Sequence, residues 1–109
     1  MDTWDISSLA IEAHQPQVLR TDGEARAIAL HLPAGEELQE HQVHERAYVI
    51  VVEGEAEISA DGKSVSGGPG LLSHFAPGER HTVRAHSDTR LLLLLSPWPG
   101  EGHPSARPA

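Results

Sequence analysis

Residues 47–65, AYVIVVEGEAEISADGKSV, decide the fold class. Ala47 to Val52 is β-branched and nearly all apolar, which reads as a strand buried on both faces. Gly54 then allows a tight bend. Glu55 to Ala60 alternates, with Ala56 and Ile58 on one side and Glu55, Glu57 and Ser59 on the other, the period-two pattern of a half-buried strand. Asp61-Gly62 is the strongest hairpin signal in the chain, and Lys63-Ser64-Val65 is the short return strand.

The same punctuation continues on either side. Upstream, Val18-Leu19 reads as a short strand closed by the turn Asp22-Gly23. Ala25 to Leu32 is a strand with Ala25, Ala27, Ala29 and His31 on one face and Arg26, Ile28, Leu30 and Leu32 on the other. Pro33-Ala34-Gly35 breaks it, and Leu38 to His44 is polar but extended. Downstream, Gly67 to Gly70 is a turn, Leu71 to Phe75 a strand, Pro77-Gly78 a turn and His81 to Ala85 a strand. Ser87-Asp88 turns into the last strand, Thr89 to Leu95. Its five consecutive leucines, Leu91 to Leu95, are too short a run for a helix and suit a strand packed between two layers. About eight or nine short strands with regular turns and no long helix mean an all-β sandwich or barrel.

The rest of the chain is framing. Residues 1–16 read as an N-terminal lead-in, with a helical turn at Ser7 to Ala13 capped by Ser7 or Ser8. Residues 17–96 read as one barrel domain. Residues 97–109, rich in Pro, Gly and Ser, read as an irregular tail pinned by Trp98.

Composition narrows the function. The 109 residues make one domain, since a second independent core would not fit. There is no cysteine, which excludes disulfides, iron–sulfur clusters, thiolate zinc sites and cysteine nucleophiles. Sixteen acidic residues against eight Lys and Arg give a formal charge of −8, so nucleic acid and anionic membranes are poor partners. The N-terminus has no basic, apolar leader and the longest apolar run is far below the roughly 20 residues of a membrane helix, so a soluble, cytoplasmic protein is expected. Neither a Gly-x-Ser-x-Gly elbow nor a phosphate loop occurs. Eight histidines are unusual at this length and, with Asp and Glu, are the available metal ligands.

Two segments together resemble the cupin family of small double-stranded β-helix, jelly-roll barrels. Gly35-Glu-Glu-Leu-Gln-Glu-His41 matches the opening of the first cupin motif, and Tyr48-Val-Ile-Val-Val-Glu-Gly54-Glu55 resembles its end. In the second motif Gly70, Gly78 and His81 fall in register, while Ala76 takes the proline place and Ala85 the asparagine place. One hairpin separates the motifs, as in the family, and the resemblance covers roughly residues 25 to 95. It implies a divalent transition metal in the barrel and, if the protein is an enzyme, oxygenation, isomerisation or lyase chemistry on a small organic substrate.

The ligand set departs from the family. Val43 stands in the second histidine place and Ala47 in the glutamate place, leaving His41 and His81 on motif positions. His44 lies one residue late; a β-bulge near Val43 would return it to the His41 face. The metal ligands expected are therefore His41, His44 and His81, holding Zn, Fe, Ni, Cu or Mn. His74 is a fourth candidate ligand, read first as an interface or core-edge histidine, and His14, His31, His86 and His103 read as structural or exposed. Glu40, Glu45 and Arg46 read as rim charge, a carboxylate among them otherwise orienting an imidazole. The alternative is a non-catalytic, metal-free cupin that binds a small molecule. Pairing of barrels into a homodimer is expected, with Tyr48 packed at the shared face.

Overall fold

Asp61 and Gly62 both take positive φ, 52° and 73°, the pair of left-handed residues that a two-residue type I′ hairpin requires. The computed structural model describes residues 1–22, 24–41 and 45–96, with residues 39–41 by backbone alone. Among the described residues there are nine strands: β1 (Gln17–Thr21), β2 (Arg26–Leu32), β3 (Glu37–His41), β4 (Arg46–Glu53), β5 (Ala56–Ala60), β6 (Lys63–Gly67), β7 (Leu72–Phe75), β8 (His81–Ala85) and β9 (Thr89–Ser96). The predicted strands all occur, their ends displaced by a residue or two where the flanks are described. No described residue is helical, and no helix is long and apolar enough to cross a membrane.

The strands form two antiparallel sheets, β1-β2-β9-β4-β7 and β3-β8-β5-β6. Inward and outward residues alternate along the strands, and the inward apolar ones form the core. Leu30 and Leu32 of β2, Val49 and Val51 of β4, Leu91 and Leu95 of β9, and Phe75 of β7 meet Ala56 and Ile58 of β5 and Val83 and Ala85 of β8 in one core. This is a double-stranded β-helix barrel, the fold the sequence implies.

The leucine run works as expected. β9 is hydrogen-bonded between β2 and β4, with Leu93 opposite both Ile28 and Val49. Leu91, Leu93 and Leu95 face the barrel core. Leu92 faces outward into a second cluster with Ala29, Ile6 and Ile11. The N-terminal segment thus lies on the outside of the larger sheet. It is tied down by Arg90, whose Nη1 donates to the carbonyls of Ile6 (2.8 Å) and Leu9, and by a parallel bridge between Ala13 and His31.

Two expectations are corrected. The turn at residues 6–8 does not grow into a helix capped by Ser7 or Ser8. Asp5 caps it instead, its carboxylate accepting from Ser7 N at 3.2 Å and its carbonyl from Ser8 N and Leu9 N. The strand Ala47 to Val52 is not buried on both faces: Ala47, Val49 and Val51 are buried, but Tyr48 is exposed and Ile50 and Val52 are half-buried. The second sheet covers only the inner face, and the N-terminal segment reaches Val52 but not Tyr48. The expected tail and Trp98 lie outside the described residues.

Gly54 carries the bend that the sequence places there. Its φ is +87°, and a Cβ would meet the Asp88 carbonyl at 2.2 Å and Thr89 Cα at 2.8 Å. Both contacts are with backbone and cannot swing aside. Gly54→Ala is therefore expected to cost about 3 kcal/mol or more, at the severe end of single substitutions. Gly62→Ala, at φ +73° with open space around it, should lose only about 1 kcal/mol of left-handed strain. Urea unfolding of the two variants checks this; equal midpoints would contradict the close approach.

Candidate functional site

His81 opens β8 and is 3% exposed. On that strand His81, Val83 and Ala85 are buried while Arg84 is exposed, so alternation directs the odd positions into the barrel. The His81 ring stacks on Phe75 of the opposite sheet, with ring centroids 4.0 Å apart and planes 10° from parallel. Its Nδ1 lies 3.1 Å from the Glu79 carbonyl oxygen. A carbonyl only accepts, so Nδ1 carries the hydrogen and donates; in the neutral ring the lone pair then resides on Nε2. This is the tautomer in which an imidazole ligates a metal through Nε2.

Position 41 stands opposite position 81. The β3–β8 register runs Glu37 to Arg84 and Leu38 to Val83, then His41 to His81. One extra residue is therefore accommodated on β3 between Leu38 and His41, and it brings position 41 rather than 40 opposite 81. The bulge invoked near Val43 falls outside the described residues, as does His44.

Glu45 departs from the sequence reading. It is 1% exposed, not a rim charge. It precedes β4 by one residue and shares the inward parity of Ala47, Val49 and Val51. Burying a carboxylate is expensive without a cation or donors to meet it. Ala47, in the family's glutamate place, is buried and opposite Phe75 and Leu95. The chain therefore has a buried carboxylate two positions before the place where the family motif puts one. Extending the β4 alternation backwards by two residues would have found it. The Phe75–His81 stack had no sequence signal, because the two residues belong to different sheets.

The other histidines whose side chains are described, His14, His31, His74 and His86, stay outside the barrel core. His74 is exposed, 5.0 Å from the Tyr48 ring, with its Nε2 3.4 Å from Arg46 Nη1. His31 binds Asp88 at 2.7 Å, tying β2 to the turn before β9, and His14 pairs with Glu36, tying the N-terminal segment to the residue before β3. Among the described residues no three His, Asp or Glu side chains converge as a metal cluster; the side chains of His41 and His44 are not among them. Two clefts, of about 360 and 480 Å³, open beside this end of the barrel and share Asp61 and Arg80 in their walls. The smaller also touches His81.

The fold and this interior histidine end define a double-stranded β-helix protein. The Cupin domain family model matches residues 28–97, and the chain belongs to that family. Solved structures agree at the level of fold. An RmlC-like cupin protein from Desulfovibrio desulfuricans is 19% identical at a TM-score of 0.79, covering 89% of this chain and 97% of its own. A protein with a double-stranded β-helix domain from Klebsiella pneumoniae is 17% identical at a TM-score of 0.77, covering 90% and 91%. A protein of unknown function from Streptococcus pyogenes is 22% identical at a TM-score of 0.74, covering 88% and 87%. A search of curated proteins gave no significant match.

The stack can be read directly. Phe75→Leu keeps an apolar side chain but removes the ring, so the His81 ring protons should lose their upfield ring-current displacement in proton NMR. The melting temperature should fall with the loss of buried contact. Unchanged His81 shifts would mean that the rings do not stack in solution.

Proposed function

We propose that this cupin holds a divalent transition metal at the His81 end of its barrel through His41, His44 and His81, and binds a small organic molecule beside it. The observation that carries the reading is His81 itself: buried, inward, and hydrogen-bonded through Nδ1 so that Nε2 is the lone-pair nitrogen. The register of position 41 against position 81 supports it, because opposite positions of an antiparallel pair share a face. Buried Glu45 supports it further, as a carboxylate on the same inward parity as Ala47.

The donor set fits such an ion. Imidazoles suit Zn, Fe, Ni or Cu, and a carboxylate widens the choice to Mn. A bound metal would supply Lewis-acid polarisation of a substrate oxygen. The chain's own residues do the positioning: the Glu79 carbonyl fixes the His81 tautomer, and Phe75 fixes its plane. A metal-free, non-catalytic binding cupin is the second reading, favoured by Ala47, which offers no donor in the family's glutamate place.

Metal analysis of protein purified without a His-tag tests the proposal. Zn, Fe, Ni, Cu or Mn is expected at near-stoichiometric level, with His41→Ala and His81→Ala each losing most of it while still folding. Glu45→Gln should lower Mn or Fe(II) affinity at least about tenfold, or roughly 1.4 kcal/mol. A chain that carries none of these metals and takes up none on titration sinks the metal reading and leaves the binding cupin.

A second copy of the chain is the partner that this reading includes. The outward positions of β4, β7 and β9 around Tyr48 that the N-terminal segment leaves uncovered include Arg46, Ile50, Leu72, His74 and Leu94. They carry no carboxylate on a chain of net charge −8, and Leu72 is 58% exposed. Pairing this face with its copy covers apolar area where acidic repulsion is weakest. Light scattering should give about twice the 11.7 kDa chain mass, and Leu72→Glu should return it to the monomer value. A monomer at micromolar concentration in the unaltered chain removes the dimer.

A further inference from the structure

β6 and β7 are the terminal strands of their respective sheets. Between them lies a cavity of about 150 Å³ lined by Ile58, Ala60, Lys63, Val65, Ser73 and Phe75. Ile58 is the register partner of Val65, and Ala60 of Lys63. These four positions therefore share the inner face of the smaller sheet, the face that carries buried Ala56 and Ile58.

The chemistry of this lining is uneven. Ile58, Ala60, Val65 and Phe75 are apolar. The polar residues are Ser73 and Lys63, the latter exposed at the mouth, and no carboxylate lines the cavity. Lys63 is the only lysine in a chain with sixteen acidic residues. Among the described residues no carboxylate forms an ion pair with it. An ammonium at the edge of an apolar pocket selects a ligand with one anionic head and an apolar body. The volume sets the scale: about 150 Å³ matches a benzene-sized body, held here in a slot open to solvent along Lys63 and Val65.

We propose that this slot binds a small monocarboxylate, its carboxylate on Lys63 and Ser73 and its apolar body against Ile58, Val65 and Phe75. The inference rests on the small-molecule half of the reading above and names the ligand class for it. The slot adjoins the candidate site: Ala60 is the register partner of His81, and the Phe75 ring stacks on the His81 ring. A second carboxylate on the ligand would find no second cation in this lining, and the net charge of −8 would oppose it.

The test is an amide NMR titration of the full chain, stripped of metal with EDTA, using sodium benzoate and, separately, benzyl alcohol. Benzoate should saturate, with the largest shifts at the amides of Ile58, Val65 and Ser73. Benzyl alcohol should bind at least tenfold more weakly. Lys63→Met should reduce benzoate to the level of benzyl alcohol. Val65→Glu, at an exposed position, should abolish benzoate binding and leave the spectrum that of a folded chain. Equal affinity for the two probes, wild-type benzoate affinity in Lys63→Met, or no shift at these amides overturns the proposal. Because the protein is metal-free, the result separates from metal uptake: a chain that takes no metal yet binds benzoate through Lys63 keeps this inference and loses the metal reading, and the converse result does the opposite.

Discussion

The architecture hangs on β9, which is hydrogen-bonded along both edges and apolar on both faces. Its inward leucines complete the barrel core, and Leu92 seats the N-terminal segment outside it. A strand in this position leaves no backbone donor or acceptor to solvent on either edge. It also sets the register of both neighbours, because slipping by one residue would exchange Leu91 and Leu95 for Leu92 and Leu94 on the inner face. β4 is aligned directly against β9, and β7 against β4, so the orientation of Phe75 and of the residues leading into β4 follows from that one pairing.

The candidate site forms where the two sheets exchange side chains. His81 comes from the smaller sheet and Phe75 from the larger, and their stack is a contact between layers rather than along a strand. A buried imidazole is tolerated there because its Nδ1 has a carbonyl to donate to and its ring has an aromatic face to lie on. Glu45 approaches from the larger sheet at the start of β4. The interior thus concentrates titratable groups at one end, while the rest of the core is aliphatic. The slot between β6 and β7 lies beside this end, since its wall includes Phe75, which stacks on His81, and Ala60, the register partner of His81.

Outside the barrel, polar pairs do structural work. Arg90 gives its guanidinium to the carbonyls of Ile6 and Leu9, His31 meets Asp88, and His14 meets Glu36. The Arg90 and His14 contacts fasten a segment that has no strand of its own, and His31–Asp88 ties β2 to the turn that leads into β9. They explain part of the histidine abundance that the composition presents: at least two of the eight histidines are fasteners, and His74 lies on the outer face beside Tyr48.

Much of the barrel was readable from residue order alone. The alternation in Glu55 to Ala60, the Asp61-Gly62 turn and the leucine run are local signals, since strand period, turn chemistry and strand length depend on near neighbours. The histidine at position 81 was likewise found from its spacing to Gly70 and Gly78. What the order of residues could not settle was which side of each strand would be covered. Glu45 looks like rim charge beside Glu40 and Arg46, yet it is buried: its parity with Ala47 and Val49 was legible, but that the odd face is the covered one is decided by the assembled sheets. Ala47 to Val52 looks doubly buried, yet one face is half open, because the segment that covers the larger sheet stops short of Tyr48. The Phe75–His81 stack, the pairing of position 41 with 81 and the Lys63 slot join residues distant in sequence or on different sheets. Such neighbours are created by closure of the barrel, and no local pattern encodes them.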